Sequence, residues 1–174
     1  MNSSMVIRPV CQDDYEPLAS LYGYYALNTV YTYYNKAPTP EYMERLFTGK
    51  GHLSAVGTLG PYVIGYVHVS PAFSLMRRFC TIAVYLLPQH TGRGYGRQLI
   101  LHGEEMARAY GYPKIRATIC TENKTSQAAF TALGYIYAGQ KTFDATKFGR
   151  DLDTLSIFCN KKNILCIICY FYFD

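Results

Sequence analysis

The chain has 174 residues, and its 17 Lys and Arg exceed its 12 Asp and Glu to give a formal net charge of +5. A hydrophobic fraction of 49% beside 17% charged residues excludes wholesale disorder. No apolar run approaches the roughly 18 residues of a membrane-spanning helix, and the length fits one domain. The basic residues are scattered, which suits a phosphate-bearing small molecule better than a nucleic acid.

The hydrophobic pattern predicts a mixed α/β protein with elements in the order βααβββαβαββ. The predicted strands cover residues 5–10, 52–56, 62–69, 79–87, 114–120, 135–143 and 152–159. Helices are predicted over residues 14–26, from the cap at Thr39 to Gly49, from the loop at 89–97 to about 110, and over 123–133. The stretches 28–38, 57–61 and 70–78 are predicted as connections.

The six cysteines predict no metal site. The N-terminus lacks the basic and apolar regions of a secretory leader, so we expect a cytoplasmic protein with reduced thiols. Cys166 and Cys169 have a C-x-x-C spacing, but zinc needs a second ligand pair and none lies nearby.

Residues 84–97 combine the end of a strand, a glycine-rich loop and the start of a helix. Gly92, Gly94 and Gly96 let the backbone turn sharply and approach a ligand closely. The unpaired N–H groups at the helix start, together with Arg93 and Arg97, suit a phosphate. A Walker loop would need Lys-Ser/Thr after the glycines, and a dinucleotide fingerprint would need G-x-G-x-x-G. A tight turn that binds no ligand stays open as an alternative.

A second segment, residues 123–135, carries Asn-x-x-Ser and then Phe-x-x-Leu-Gly-Tyr. Together with residues 84–97 it resembles the GNAT acyltransferases, which move an acetyl group from acetyl-CoA to an amine. Ala83-Val84-Tyr85, the segment 147–150 and Leu152-Asp153 are similar to the phosphinothricin N-acetyltransferase-like subgroup. The resemblance implies one domain over residues 1–162, with two strands splayed at the donor site, followed by an apolar extension at 163–174.

The resemblance also implies roles for individual residues. Backbone groups of Val84 and Leu86 would pair with the pantetheine arm, and the Leu86 N–H would polarise the thioester carbonyl. The positions it assigns to acetyl-CoA are Val84, Tyr85, Leu86, Gly92, Arg93, Gly94, Tyr95, Gly96, Arg97, Asn123, Ser126 and Phe130. Tyr33, Phe73 and Arg77 would contact the acceptor, with Arg77 able to hold a carboxylate.

Three positions depart from the family pattern. Thr91 stands where the phosphate loop usually begins with Gln or Arg, Thr81 where relatives often have a glutamate, and Phe130 where many have Tyr or His as the general acid. Since phenylalanine gives no proton, the usual acid–base pair does not carry over. His68 is the candidate local base, expected opposite Thr81 if residues 70–78 form a simple hairpin, although a packed strand histidine is the alternative.

These features predict an acetyl-CoA-dependent N-acetyltransferase for a small amine, preferably an amino acid or an analogue. A CoA-binding module with lost catalysis and an acetyltransferase for peptide or protein N-termini are the alternatives. No nucleic-acid or membrane partner is expected. The apolar extension could be an edge strand, a homodimer contact or unselected sequence, and we expect it to be buried because an exposed segment of this kind would aggregate.

Overall fold

The computed structural model describes residues 4–74 and 77–159. Its strands are β1 (Val6–Pro9), β2 (Leu53–Leu59), β3 (Tyr62–Ser74), β4 (Arg77–Leu86), β5 (Ile115–Cys120), β6 (Tyr135–Lys147) and β7 (Arg150–Cys159). Its α-helices are α1 (Tyr15–Asn28), α2 (Pro40–Phe47), α3 (Tyr95–Ala109) and α4 (Lys124–Ala132). The predicted element order is confirmed, and the expectation that the tail 163–174 is buried lies outside the described residues.

The strands of this part of the chain form one mixed sheet in the order β1-β2-β3-β4-β5-β7-β6. Every neighbouring pair is antiparallel except β4 and β5, which run parallel. A parallel neighbour needs a long crossover, and α3 supplies it. The predicted mixed α/β class is therefore confirmed.

Two predicted connections are wrong because strands occupy them. β2 continues to Leu59, so the turn is confined to residues 60–61. β3 reaches Ser74 and β4 starts at Arg77, so most of residues 70–78 is paired strand. Pro71 is tolerated because its nitrogen faces the β2 side, and the pairing with β2 has already ended at Val69.

The last hairpin is also longer than predicted. β6 reaches Lys147 and β7 starts at Arg150, with Lys147 paired to Arg150. The two turn residues, Phe148 and Gly149, have φ angles of 52° and 74°. Two consecutive positive φ angles make the type I′ turn that joins tightly paired strands.

Helices cover both faces of the sheet, and each face has a large apolar cluster. Below α3 lies an apolar cluster that includes Val67, Ile82 and Leu99. A Cβ on Gly103 would lie 2.5 Å from Val67 and 2.8 Å from Ile82, so glycine lets α3 pack close to the sheet. The second cluster joins α1 and α2 to the opposite face. No helix in residues 4–74 or 77–159 combines the length and hydropathy needed to cross a membrane.

Candidate active site

The parallel strands β4 and β5 separate soon after they meet. Their described register pairs only Cys80 with Ile115 and Thr81 with Arg116, and the Cys80 N–H donates to the Lys114 carbonyl oxygen at 3.0 Å. On the other edge of β4, the N–H of Leu87 donates to the Ile64 carbonyl oxygen at 2.8 Å.

Backbone groups alternate sides along a strand. The even-numbered residues of β4 therefore direct their N–H and C=O groups towards β5. Beyond Thr81 these groups, including those of Val84 and Leu86, face the gap between the separated strands. The splayed strands expected from the sequence are present.

A cavity of about 360 Å³ occupies this gap. The predicted donor-site residues that line it are Val84, Tyr85, Leu86, Gly96, Asn123, Ser126 and Phe130. Its wall also contains residues that we had not predicted, notably Tyr24, Tyr25 and Tyr31 from α1 and the loop after it, and 117–120 from β5. The tyrosine-rich composition of residues 22–34 was the only sequence signal for the first group.

The loop between β4 and α3 has the geometry of an anion site. Gly92 and Gly94 have φ angles of 75° and 82°, and Gly94 is the N-cap of α3. Because glycine has no side chain to cap the helix, the first N–H groups of α3 are left for another partner. Arg93 and Arg97 are exposed beside them. A phosphate group fits this combination of helix dipole and guanidinium charge.

Thr91, one of the three departures from the family pattern, bonds to the turn that precedes it. Its hydroxyl donates to the Pro88 carbonyl oxygen at 2.8 Å, and its N–H donates to the same oxygen at 3.2 Å. These bonds close the turn at Pro88–His90 just before the glycine loop. Thr91 therefore stabilises the start of the loop through a local contact.

Asn123 joins the end of β5 to α4 at the cavity wall. Its side-chain oxygen accepts the Ser126 N–H at 3.0 Å, and its own N–H donates to the Cys120 carbonyl oxygen at 2.9 Å. This cap fixes the asparagine side chain, and its amide nitrogen is then the group that can donate a hydrogen bond to a ligand. Phe130 is buried, with its ring 4.8 Å from that of Tyr135, and offers no proton.

Tyr25 brings a hydroxyl group to the same wall. This hydroxyl donates to the Leu86 carbonyl oxygen at 2.8 Å, and burial raises the pKa of Tyr25 to about 12. A thiol has a pKa of about 8.5, so proton transfer from Tyr25 to a leaving thiolate would be uphill. Tyr25 is therefore suited to holding the strand and poorly suited to acid catalysis.

His68 lies away from the cavity lining. Its predicted position opposite Thr81 is wrong, because the register places it opposite Ala83 and Thr81 opposite Ser70. Its Nε2 atom lies 2.9 Å from Nδ1 of His52, and its ring packs 4.9 Å from that of Phe47. Burial and the neighbouring His52 lower the pKa of His68 to about 3. The neutral ring is thus held inside the core.

Of the other four predicted catalytic or acceptor positions, Thr81 and Tyr33 lie outside the described lining of the cavity. Thr81 shares a hydrogen bond of 2.6 Å with Ser70. The backbone of Phe73 and Arg77 lies at the tip of the β3–β4 hairpin. Arg77 is seven residues before Val84, which corresponds to roughly 23 Å along an extended strand. Tyr33 lies in the loop after α1 and is 42% exposed.

A buried lysine stabilises the loop that follows α1. Lys147 is 1% exposed, and its Nζ donates to the Thr32 carbonyl oxygen at 2.9 Å and to the Tyr25 carbonyl oxygen at 3.4 Å. Burial lowers the pKa of Lys147. The amine lies at the carboxyl end of α1, where the helix dipole favours a positive charge.

The lining of the cavity carries no ionised side chain in the described part of the chain. Its titratable members are tyrosines and Cys120, and the remainder are apolar, hydroxyl or amide residues and glycine. Across residues 4–74 and 77–159 there is no group of three His, Cys, Asp or Glu side chains that could hold a metal ion. The site therefore combines a backbone edge, a helix start suited to an anion and an uncharged wall.

A comparison with known protein families agrees with this arrangement. The model of the acetyltransferase (GNAT) family matches residues 20–135, which is more than half of the chain. The chain belongs to the GNAT acetyltransferase family. GNAT enzymes use acetyl-CoA as the acetyl donor, and the fit of the site to that donor follows from the exposed edge of β4, the start of α3 and the uncharged cavity between them.

Two named relatives of this GNAT enzyme align over most of their length. L-amino acid N-acyltransferase MnaT of Escherichia coli is 27% identical over 86% of this chain and 90% of its own. Phosphinothricin N-acetyltransferase of Streptomyces coelicolor is 29% identical over 84% of this chain and 91% of its own. The crystal structure of a phosphinothricin acetyltransferase from Sinorhizobium meliloti with acetyl-CoA has a TM-score of 0.80, 26% identity, and coverage of 89% and 87%.

Proposed function

We propose that this GNAT N-acetyltransferase acetylates the primary amine of an amino acid or a close analogue. The observation that carries the proposal is the free edge of β4 beside the cavity, where the backbone of Val84 and Leu86 faces β5 without a strand partner. The names of the relatives, which act on L-amino acids and on phosphinothricin, support this acceptor class.

The donor would lie along three features of the site. Backbone N–H groups from Gly92 to Arg97 would bind the pyrophosphate, since they form the open start of α3. Val84 and Leu86 would pair with the pantetheine amides, much as a peptide adds to a sheet edge. The remaining contacts would come from Tyr85, Asn123, Ser126 and Phe130.

Acetyl-CoA supplies a thioester carbonyl to the reaction. The Leu86 N–H would donate to the carbonyl oxygen as negative charge develops there. The amine must reach the cavity unprotonated or lose its proton to water, because the described lining holds no ionised base. His68 and Thr81 lie outside the lining, so we assign them no contact with the reacting atoms.

Calorimetry with acetyl-CoA tests the donor site, and thiol release with a panel of amino acids tests the reaction. Saturable binding at one site per chain and amine-dependent thiol release are expected. Arg97→Ala should weaken acetyl-CoA binding by about tenfold, because it removes a charge beside the phosphate site. Arg45→Ala, an exposed arginine on α2, is the matched control. Binding without thiol release for any amine would favour a CoA-binding module instead.

The proposal treats residues 1–162 as one catalytic domain acting on free metabolites in the cytoplasm. It includes a homodimer to which the extension 163–174 contributes. Sedimentation of the full chain and of a deletion ending at Lys162 tests the assembly. A deletion that sediments like the full chain and remains equally soluble would remove the extension from the proposal.

A further inference from the structure

The lining of the cavity includes residues from both faces of the sheet, and the two faces offer different surroundings. Ile82 belongs to the core below α3, whereas Tyr85 packs against the cluster of α1 and α2. The anion-binding loop lies on the first side, at the start of α3. An acceptor must therefore approach from the second side, past α1 and the loop that follows it.

Four tyrosines dominate this second side. They are Tyr24, Tyr25, Tyr31 and Tyr85, and all four line the cavity. The ring of Tyr25 lies edge-on to Tyr24 at 5.4 Å and to Tyr85 at 5.2 Å. Tyr24 is 44% exposed and Tyr31 is 41% exposed, so this end of the cavity reaches solvent. We call these four residues the tyrosine wall.

Lys147 and Asp144, two charged residues beside the loop that follows α1, are already engaged. Lys147 donates to main-chain carbonyl groups, and Asp144 pairs with Lys141 and accepts a hydrogen bond from Thr154 at 2.8 Å. None of the three charged residues lines the cavity. A charged acceptor side chain packed inside the cavity against Tyr25 and Tyr85 would lose hydration without gaining an opposite charge, which is unfavourable.

An aromatic acceptor side chain would instead gain favourable contacts with the tyrosine rings. Tyrosine rings offer large apolar faces and edges, and aromatic pairs interact beyond simple burial. The α-carboxylate of an amino acid need not enter, because the exposed rings of Tyr24 and Tyr31 mark an opening where that group keeps its water. The amine alone has to reach the thioester.

We infer that the tyrosine wall selects amino acids with uncharged side chains, and aromatic ones above all, over acidic and basic amino acids. This inference rests on the proposed function and names the acceptor class of that site. It sets this enzyme apart from an enzyme for phosphinothricin, whose side chain carries an acidic phosphinate group.

The test compares kcat/KM for L-phenylalanine, L-leucine, L-glutamate, L-lysine and phosphinothricin, with thiol release as the readout. Phenylalanine should be best, and the charged acceptors should be at least about tenfold worse. Tyr31→Arg should raise kcat/KM for glutamate by about tenfold and lower it for phenylalanine, because it adds a cation to the wall. Tyr62→Arg makes the same change at a residue that is 73% exposed and outside this cavity, and should alter neither value.

A wild-type preference for glutamate, lysine or phosphinothricin would overturn the inference and leave the proposed function standing. An unchanged preference in Tyr31→Arg would also overturn it. If Tyr31→Arg fails to fold, Tyr24→Arg replaces it. If no amine is acetylated, the proposed function fails, and calorimetry of phenylalanine and glutamate on the CoA-loaded protein then decides the inference by itself.

Discussion

The hydroxyl group of Tyr25 donates a hydrogen bond to the carbonyl oxygen of Leu86 at 2.8 Å, across 61 residues of sequence. In an extended strand the C=O and N–H groups of one residue point to the same side. This bond therefore restrains the part of β4 that presents the proposed oxyanion donor. Lys147 binds the Tyr25 carbonyl oxygen in turn, so the β6–β7 hairpin is linked to the cavity through the end of α1.

Removal of the Tyr25 hydroxyl should slow acetyl transfer. Tyr25→Phe keeps the ring and deletes one hydrogen bond, worth about 1 kcal/mol, which corresponds to roughly a fivefold loss of kcat. The KM for acetyl-CoA should stay within about twofold, because the helix start and the strand edge still bind it. Tyr137→Phe, on a 60% exposed tyrosine of β6, is the matched control. Equal kcat values for Tyr25→Phe and the wild type would contradict the restraint.

Lys147 should act through Tyr25. Lys147→Met deletes the donor to the Thr32 and Tyr25 carbonyl groups, and kcat should fall by a factor similar to that of Tyr25→Phe. The double variant should be little slower than either single variant, because residues in one network are not additive. Lys141→Met, at a lysine of the same strand whose side chain is 74% exposed, should leave kcat unchanged. Fully multiplicative losses in the double variant would show that the two residues act separately.

Gly94, at the start of α3, should contribute to acetyl-CoA binding, whereas Gly111, which follows the end of α3, should not. Gly94 and Gly111 have φ angles of 82° and 89°, and a Cβ at either meets nothing within 4 Å. Replacement by alanine should therefore cost about 1 kcal/mol of unfolding free energy at both positions, from backbone strain alone. Calorimetry should show weaker acetyl-CoA binding for Gly94→Ala only. Equal affinities in the two variants would exclude a donor role for the start of α3.

The stability of the protein should fall in mild acid because of His68. Its pKa is lowered to about 3 in the folded chain by burial and by His52, whereas an unfolded histidine titrates near 6.5. The unfolded state then binds more protons between these values, so unfolding becomes easier as the pH drops. Linkage gives a loss of about 2 kcal/mol between pH 7 and pH 5.

Denaturant unfolding at several pH values measures this loss. His68→Phe removes the titrating group, so its unfolding free energy should depend less on pH in the same interval. Parallel curves for the two proteins would mean that another group causes the acid sensitivity. His52→Phe provides the companion measurement, since it removes the neighbour while His68 stays buried.

The pH dependence of turnover should follow the acceptor. Tyr25, with a pKa of about 12, remains protonated, and His68, with a pKa of about 3, remains neutral through the physiological range. Because only a neutral amine attacks, kcat/KM should rise about tenfold per pH unit up to the pKa of the amine. The profile of His68→Phe should be parallel. A bend near pH 6.5 that disappears in His68→Phe would restore His68 as a base.

The sequence by itself determined the order of the elements, and it predicted the residues that we propose for the donor site. Hydrophobic periodicity and caps such as Thr39 depend on residues close together in the chain, so they can be read without the fold. The glycine loop and Asn123 belong to short motifs, and each motif lies within one continuous segment of the chain. Strand ends were less certain, since pairing with a neighbour extended β2, β3, β6 and β7 beyond their local patterns.

Only the tertiary structure decided which side chains meet in the cavity. The register of β3 on β4 places His68 opposite Ala83 and not opposite Thr81, and no local pattern specifies that register. Tyr25 meets Leu86 and Lys147 meets Thr32 across 61 and 115 residues. Burial likewise follows from packing. It made His68 a neutral core residue and Lys147 a buried support, because the loss of water around an ionisable group depends on everything that packs against it.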